Sequence, residues 1–236
     1  MSDPLVVQKL SRRYGGFQAL HPLDLTVAAG ECVALIGHNG SGKTTAVRVI
    51  AGLLEASGGQ VIVDGARMHA PAETLRARAA LSLVPDNPLL YSDLTVREHL
   101  ELVIVAHGVS SSFLDERVDS ILSRLQIEAR RDAFPGELSR GMRQKLQLAC
   151  ALIRPFKVLL LDEPVVGLDP STQRTLRELL LECKESGAAV LLTTHQLAFA
   201  RGIADRALLL ADGAVIEQGP YEAIVDGERV YERDLH

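Results

Sequence analysis

The chain has 236 residues, 47% of them hydrophobic, with 25 basic against 30 acidic side chains and a net charge of −5. It is long for one domain and short for two, its apolar share is enough for a sizeable core, and its charge forms no basic block or arm, which disfavours nucleic acid as the main partner. No stretch approaches the ~18 apolar residues of a membrane span, and Cys32, Cys150 and Cys183 are odd in number and too scattered for zinc, which suits buried thiols in a reducing compartment.

From the N-terminus, MSDPLVVQKL lacks the long apolar core of a signal peptide. Beyond it, short apolar β runs alternate with helical patterns, which predicts an α/β fold with a largely parallel sheet. The strongest buried strands are ECVALI (31–36), KVLLL (157–161) and AAVLLTT (188–194). Asp64-Gly65 and Asp212-Gly213 sit between β-prone segments and predict hairpin turns, so some antiparallel sheet accompanies the parallel core. From residue 86 to 154 the pattern is mostly helical. Thr95 with Glu98 forms a capping box and Gly108 stops that helix. A second helical pattern covers 112–126. A third starts at Ser139, carries Met142, Leu146, Ala149 and Ile153 at helical spacing, and ends before Pro155. The result is a single domain over 1–236 with a helical subdomain, 86–154, inserted in it.

GHNGSGKT (37–44) follows the strand VALI and precedes the helical TTAVRVIAGLL, the context that a P-loop requires. Gly37, Gly40 and Gly42 let backbone N–H groups approach phosphate oxygens closely. Lys43 would bridge β- and γ-phosphates and the Thr44 hydroxyl would ligate Mg²⁺. Kinases, GTPases and motor ATPases share this loop, so it leaves the reaction open.

VLLLDEP (158–164) is an apolar strand ending in two acids, at the sheet edge where the P-loop also lies. Asp162 would hold Mg²⁺ through water, and Glu163 could polarise the attacking water. His195 closes the run AAVLLTTH at the same edge; it is either structural or a γ-phosphate partner. LSRGMRQKLQLACAL (138–152) is a helix start with a capping serine, a glycine and no acid, which makes a second anion site.

Taken together, these segments resemble the nucleotide-binding subunit of ABC transporters over essentially the whole chain. Tyr14 in RRYGGFQAL matches the aromatic residue that stacks on adenine. GHNGSGKT matches Walker A, LSRGM the signature loop, VLLLDEP Walker B with its catalytic glutamate, GLDP with Asp169 the D-loop, and TTH the switch histidine. The resemblance implies a P-loop NTPase core with an antiparallel β subdomain and a helical insertion. It implies an ATPase using ATP and Mg²⁺, in which Gly37, His38, Asn39, Gly40, Ser41, Gly42, Lys43, Thr44 and Thr45 hold the phosphates. It also implies a head-to-tail dimer, most simply a homodimer, in which Ser139 and Gly141 of one copy complete the ATP site of the other, answering why one chain needs two anion sites. The partners implied are a second nucleotide-binding subunit and transmembrane permease subunits, on the cytoplasmic face of the cell membrane.

Two departures stand out. LSLVPDNP has Asp86 where the family has a glutamine; Asp86 is either a metal- or water-side ligand or an exposed turn acid. Arg140 and Met142 replace the usual glycine and glutamine of the signature, a form resembling the exporter-like branch. A soluble ABC ATPase without a membrane partner, acting on DNA, ribosomes or iron–sulfur assembly, is the alternative, weakened by the absence of coiled-coil insertions and tandem cassettes. An unrelated P-loop kinase would have no use for residues 138–142.

Overall fold

The computed structural model describes residues 3–109 and 114–227. Its larger sheet orders β10 (Ala214–Pro220), β9 (Arg206–Ala211), β3 (Cys32–Ile36), β8 (Ala189–Thr194), β7 (Val158–Asp162) and β6 (Leu81–Val84). Strands β9, β3, β8 and β7 are parallel neighbours, and β10 returns antiparallel. Every residue of β3, β7 and β8 is buried, as expected of continuous apolar runs covered on both faces. A second sheet orders β2 (Phe17–Val27), β1 (Leu5–Tyr14), β4 (Gly58–Val63) and β5 (Ala66–Arg67), with antiparallel pairing throughout.

Both expected hairpins form. Val63 pairs with Ala66 and Ala211 with Ala214. Each turn has positive φ at both central residues, 47° and 74° at Asp64-Gly65 and 48° and 76° at Asp212-Gly213, the type I′ geometry that matches strand twist. Strands β1 and β2 are not predicted from hydrophobic runs. The register of β1 shifts between Val7 and Leu10, where Lys9 has φ 48°, so the apolar residues fall out of strict alternation.

The chain divides into two units. One comprises residues up to Leu83, Phe156–Glu163 and those from Leu180 on; the other comprises Val84–Pro155 and Pro164–Leu179. In the first, one apolar cluster draws Leu5, Leu20, Leu35, Ile50, Val63, Leu160, Leu191 and Leu208 from both sheets and from α1 (Lys43–Ile50). This unit also carries α2 (Thr74–Ala80), α7 (Leu197–Ala200) and α8 (Tyr221–Val225).

The second unit holds α3 (Val96–Ala106), α4 (Leu114–Arg124) and α5 (Arg140–Leu152), and α6 (Pro170–Glu185) begins in it. The capping box at Thr95 and Glu98 is formed, and Gly108 has φ 62° just past the end of α3. Of the pattern over 112–126, residues 112 and 113 lie outside the described residues, and Gln126 follows the helix at φ 57°. Ser139 caps α5 by accepting the Met142 N–H at 3.2 Å.

Strand register builds the functional edge. Ile36 pairs with Thr194 and Asp162 with Thr193, so the carboxyl ends of β3, β8 and β7 are level, the edge at which open α/β sheets bind ligands.

Candidate functional site

Residues 37–42 leave β3 as a loop that only glycine accommodates at two points. A Cβ on Gly37, at φ 153°, would lie 2.3 Å from the Leu210 carbonyl oxygen, and one on Gly42, at φ 103°, would lie 2.9 Å from that of Ala19. The Lys43 ammonium folds back into this loop and donates to the carbonyls of Gly37 (2.7 Å) and His38 (3.0 Å). Burial pushes Lys43 below its ordinary 10.5, while the Glu163 and Asp162 carboxylates pull it back up. A buried cation in that position gains from an anion placed against it.

Asp162 ends β7 almost fully buried, and its Oδ1 accepts from Thr193 Oγ1 at 2.6 Å and from Thr44 Oγ1 at 3.3 Å. Glu163, next along, has φ 48°, a costly conformation for a side chain of its size. Its backbone N–H is held by the carbonyl and hydroxyl oxygens of Thr193, at 3.2 and 3.0 Å. Glu163 Oε2 faces the His195 ring nitrogen Nδ1 at 2.9 Å and accepts the His195 backbone N–H at 3.3 Å. Glu163 Oε1 lies 3.8 Å from Lys43 Nζ, beyond hydrogen-bond reach.

Among the described residues three buried side-chain polar atoms lack a hydrogen-bond partner, and two of them, Ser41 Oγ and Glu163 Oε1, belong to this site. Such atoms are costly unless a ligand or water completes them. Beside them is a cleft of about 250 Å³ lined by Phe17, Ala19, Asn39, Gly40, Gly42, Lys43, Thr44, Thr45, Asp212 and Gly213. The orphaned atoms, the glycine cradle and the buried ammonium fit a nucleotide's phosphates. The Thr44 hydroxyl beside the Asp162 carboxylate suits Mg²⁺, which is held by one or two protein oxygens plus phosphate and water rather than by a protein cage. No group of three or more acidic, His or Cys side chains able to hold a metal occurs among the described residues.

The sequence-predicted residues fall into two sets. Gly37 to Thr45, Asp162, Glu163 and His195 come together in the first unit, at the carboxyl edge of the sheet. Tyr14 is in the same unit but is not a lining residue: it is 44% exposed, with the Arg12 guanidinium 4.5 Å from its ring centroid. The aromatic wall is Phe17, 67% exposed, which the sequence reading passed over; a second aromatic three residues after Tyr14 was the available signal. Asp212 is another wall residue that the reading used only as a turn. Thr193 was likewise missed, since its hydroxyl meets Asp162 only through strand pairing.

The second unit holds the others. Ser139 is exposed at the start of α5, whose first turn carries no acid. Gly141 is required by packing, because a Cβ there would lie 2.7 Å from the Gly167 carbonyl oxygen. Asp169 uses its carboxylate within its own chain: Oδ1 accepts from Ser171 Oγ (2.6 Å) and the Thr172 N–H (2.9 Å), Oδ2 from Thr172 Oγ1 (2.7 Å), and Lys145 Nζ is 3.3 Å from Oδ2. Asp86 is half-buried in the turn after β6, and its Oδ2 accepts from Asn87 Nδ2 at 2.9 Å.

Comparison with known proteins gives a match to the ABC transporter family over residues 20–166. The chain is 35% identical to the ABC-type transporter ATP-binding protein EcsA of Bacillus subtilis, over 91% of this chain and 86% of that protein. It is 34% identical to the Nod factor export ATP-binding protein I of Burkholderia lata, over 95% of this chain and 73% of that protein. A dimeric solved structure of a bacterial ABC transporter cassette superposes with TM-score 0.84 at 26% identity, covering 92% of this chain and 98% of that one.

Proposed function

The chain belongs to the ABC transporter family, and from that premise we propose that it is the ATP-hydrolysing subunit of a transporter, working as a head-to-tail dimer on a separate transmembrane permease in the direction of export. The observation that carries the ATPase chemistry is the cluster of Lys43, Asp162, Glu163 and His195 around two orphaned polar atoms. Lys43 and the N–H groups of residues 37–45 neutralise the phosphates. Thr44 and Asp162 would hold Mg²⁺, which when bound would screen the phosphate charge. Glu163 Oε1, unoccupied by any hydrogen bond, takes the proton of the attacking water. His195 fixes Glu163 through Oε2 by donating from Nδ1, and its other ring nitrogen would meet the γ-phosphate only as a donor, with a proton on each ring nitrogen. Phe17 is the cleft wall on which the adenine stacks, with Tyr14, its cross-strand partner, beside it.

Ser139 supports the two-chain reading. Its oxygen accepts within its own helix, which leaves its O–H to donate to a phosphate, and the acid-free helix start favours an anion. In a symmetric pair, each such turn covers the P-loop of the other copy. The dimeric relative supports a pair of chains, and the Nod factor relative supports export. No helix among the described residues is long and apolar enough to cross a membrane. Leu89, Tyr91, Leu102 and Val105 are exposed on the helical unit and offer apolar surface for it. We read residues 86–154 as the subdomain that bears this contact within one domain spanning 1–236.

The test is to isolate the tagged chain from membranes. Retention in salt-washed membranes, with an integral membrane protein that raises its phosphate release, is the expected result. A chain wholly in the soluble fraction, with no such protein, would favour the ABC ATPase without a membrane partner.

A further inference from the structure

Lys145 is a lysine with only 10% of its side chain exposed, five residues into α5. Lysine is seldom buried so far without a counter-charge, and here that charge is Asp169, 3.3 Å away. The two residues sit on the two segments that flank the proposed chemistry: Lys145 on the helix that starts with Ser139 and Gly141, and Asp169 at the end of the run 164–169 that follows Glu163 in the chain.

Three further contacts join the same segments. The buried Gln144 amide donates to the Pro164 carbonyl at 3.3 Å. Gly141 packs so closely on Gly167 that no Cβ fits between them, and the Arg140 side chain lies 3.8 Å from where a Cβ on Gly167 would be. Asp169 cannot swing away, because Ser171 and Thr172 hold both its oxygens at the start of α6. Those hydrogen bonds, with Lys145, keep its carboxyl well below its ordinary 3.8. A contact that leaves no gap and an ion pair that fixes the register together oppose sliding of α5 along 164–169.

We infer that Lys145 is a positioning residue: its ion pair with Asp169 makes the signature turn and residues 164–169 move as one piece, so that a phosphate gripped by Ser139 and Gly141 in the partner's site is reported to this chain's own Glu163. The inference rests on the head-to-tail reading above. The consequence is that hydrolysis at one site depends on ATP at the other through this ion pair, and not merely through dimer closure.

The experiment compares Lys145→Met, Lys145→Arg and Asp169→Asn with the unaltered chain, following phosphate release against ATP concentration. Methionine fills the buried stem without the charge, and asparagine keeps the helix cap at 169 while removing the ion pair. Lys145→Met and Asp169→Asn should each bring the Hill coefficient down to about 1 and lower kcat by about fivefold or more. The double variant should be no worse than either alone. Lys145→Arg should keep the cooperativity, ATP binding to the isolated monomer should not move in any variant, and Lys145→Met should keep the melting temperature, whereas Asp169→Asn alone lowers it by stranding the buried Lys145 ammonium. Lys145→Met added to Glu163→Gln should still dimerise in ATP, separating this claim from the dimer itself. Unchanged Hill coefficient and kcat in both charge-removing variants, additive losses in the double variant, or losses that only track melting temperature would overturn it. So would failure of that Glu163→Gln background to dimerise once Lys145 is replaced. Absence of ATP-dependent dimers in Glu163→Gln alone would remove the head-to-tail reading, and the inference with it.

Discussion

Glu163 and His195 meet through one oxygen: Oε2 lies 2.9 Å from the ring Nδ1 and accepts the His195 backbone N–H at 3.3 Å, while Oε1 is buried without a hydrogen bond. An ionised carboxylate only accepts, so this contact places a proton on Nδ1 and leaves Nε2 pointing away from Glu163. One oxygen is thereby anchored and the other is left for water.

Glu163→Gln should therefore slow phosphate release by about a hundred- to ten-thousand-fold at saturating ATP, the range for losing a general base, while ATP still binds and dimers accumulate. His195→Ala should cost up to about a hundredfold through misplacement of Glu163. Phosphate release near the unaltered rate in Glu163→Gln would refute its role as base.

Thr193→Val removes the hydroxyl that donates to buried Asp162 and accepts the Glu163 N–H. Leaving those groups short of a partner should lower stability by about 1–3 kcal/mol in urea unfolding, and Thr193→Ser should recover most of it. Equal stability of the valine and serine variants would mean that the hydroxyl is not what holds Asp162.

The turn DG, the P-loop and the strand-ending acids were legible in the sequence because each is local: φ preferences, glycine spacing and a run of apolar residues lie within a few positions. Thr193 was not legible, since its link to Asp162 exists only once β7 and β8 pair in register. Phe17 and Asp212 become walls of one cleft only when β2 and the β9–β10 turn flank the same loop. Lys145 reads as an ordinary helix lysine until the fold sets Asp169 beside it. The β1 bulge at Lys9 erased the alternation that would have announced the second sheet.

Asp86 separates by substitution. As a metal- or water-side ligand it predicts impaired phosphate release in Asp86→Ala, with Asp86→Gln, the family's residue, preserving or improving it. An alanine variant with an ordinary rate and Mg²⁺ dependence would return Asp86 to a turn acid bonded to Asn87.

Burial pushes the Cys32 and Cys150 thiols from 9.0 up to about 12. An alkylating reagent at pH 8 should label buried Cys32 only after denaturation, while half-buried Cys150 and Cys183 are the native targets, Cys150 the slower for its raised thiol. A folded value above the unfolded one gives stability that is complete below pH 9.0 and is lost as the pH climbs toward about 12. Rapid native labelling of Cys32 would contradict the packing described.

The central claim, that Ser139 serves the ATP site of the opposite chain, is tested most directly by a mixed dimer of one Lys43→Ala subunit and one Ser139→Ala subunit, purified with two tags. Across the interface, both defects fall on one site and the other joins an intact Lys43 to an intact Ser139; within one chain, each site is damaged once. Loss of such phosphate contacts costs about 3–4 kcal/mol each, so the difference is large. In a Glu163→Gln background the mixed dimer should close in ATP while neither homodimer does. A mixed dimer that closes no better than the two homodimers would contradict the assignment.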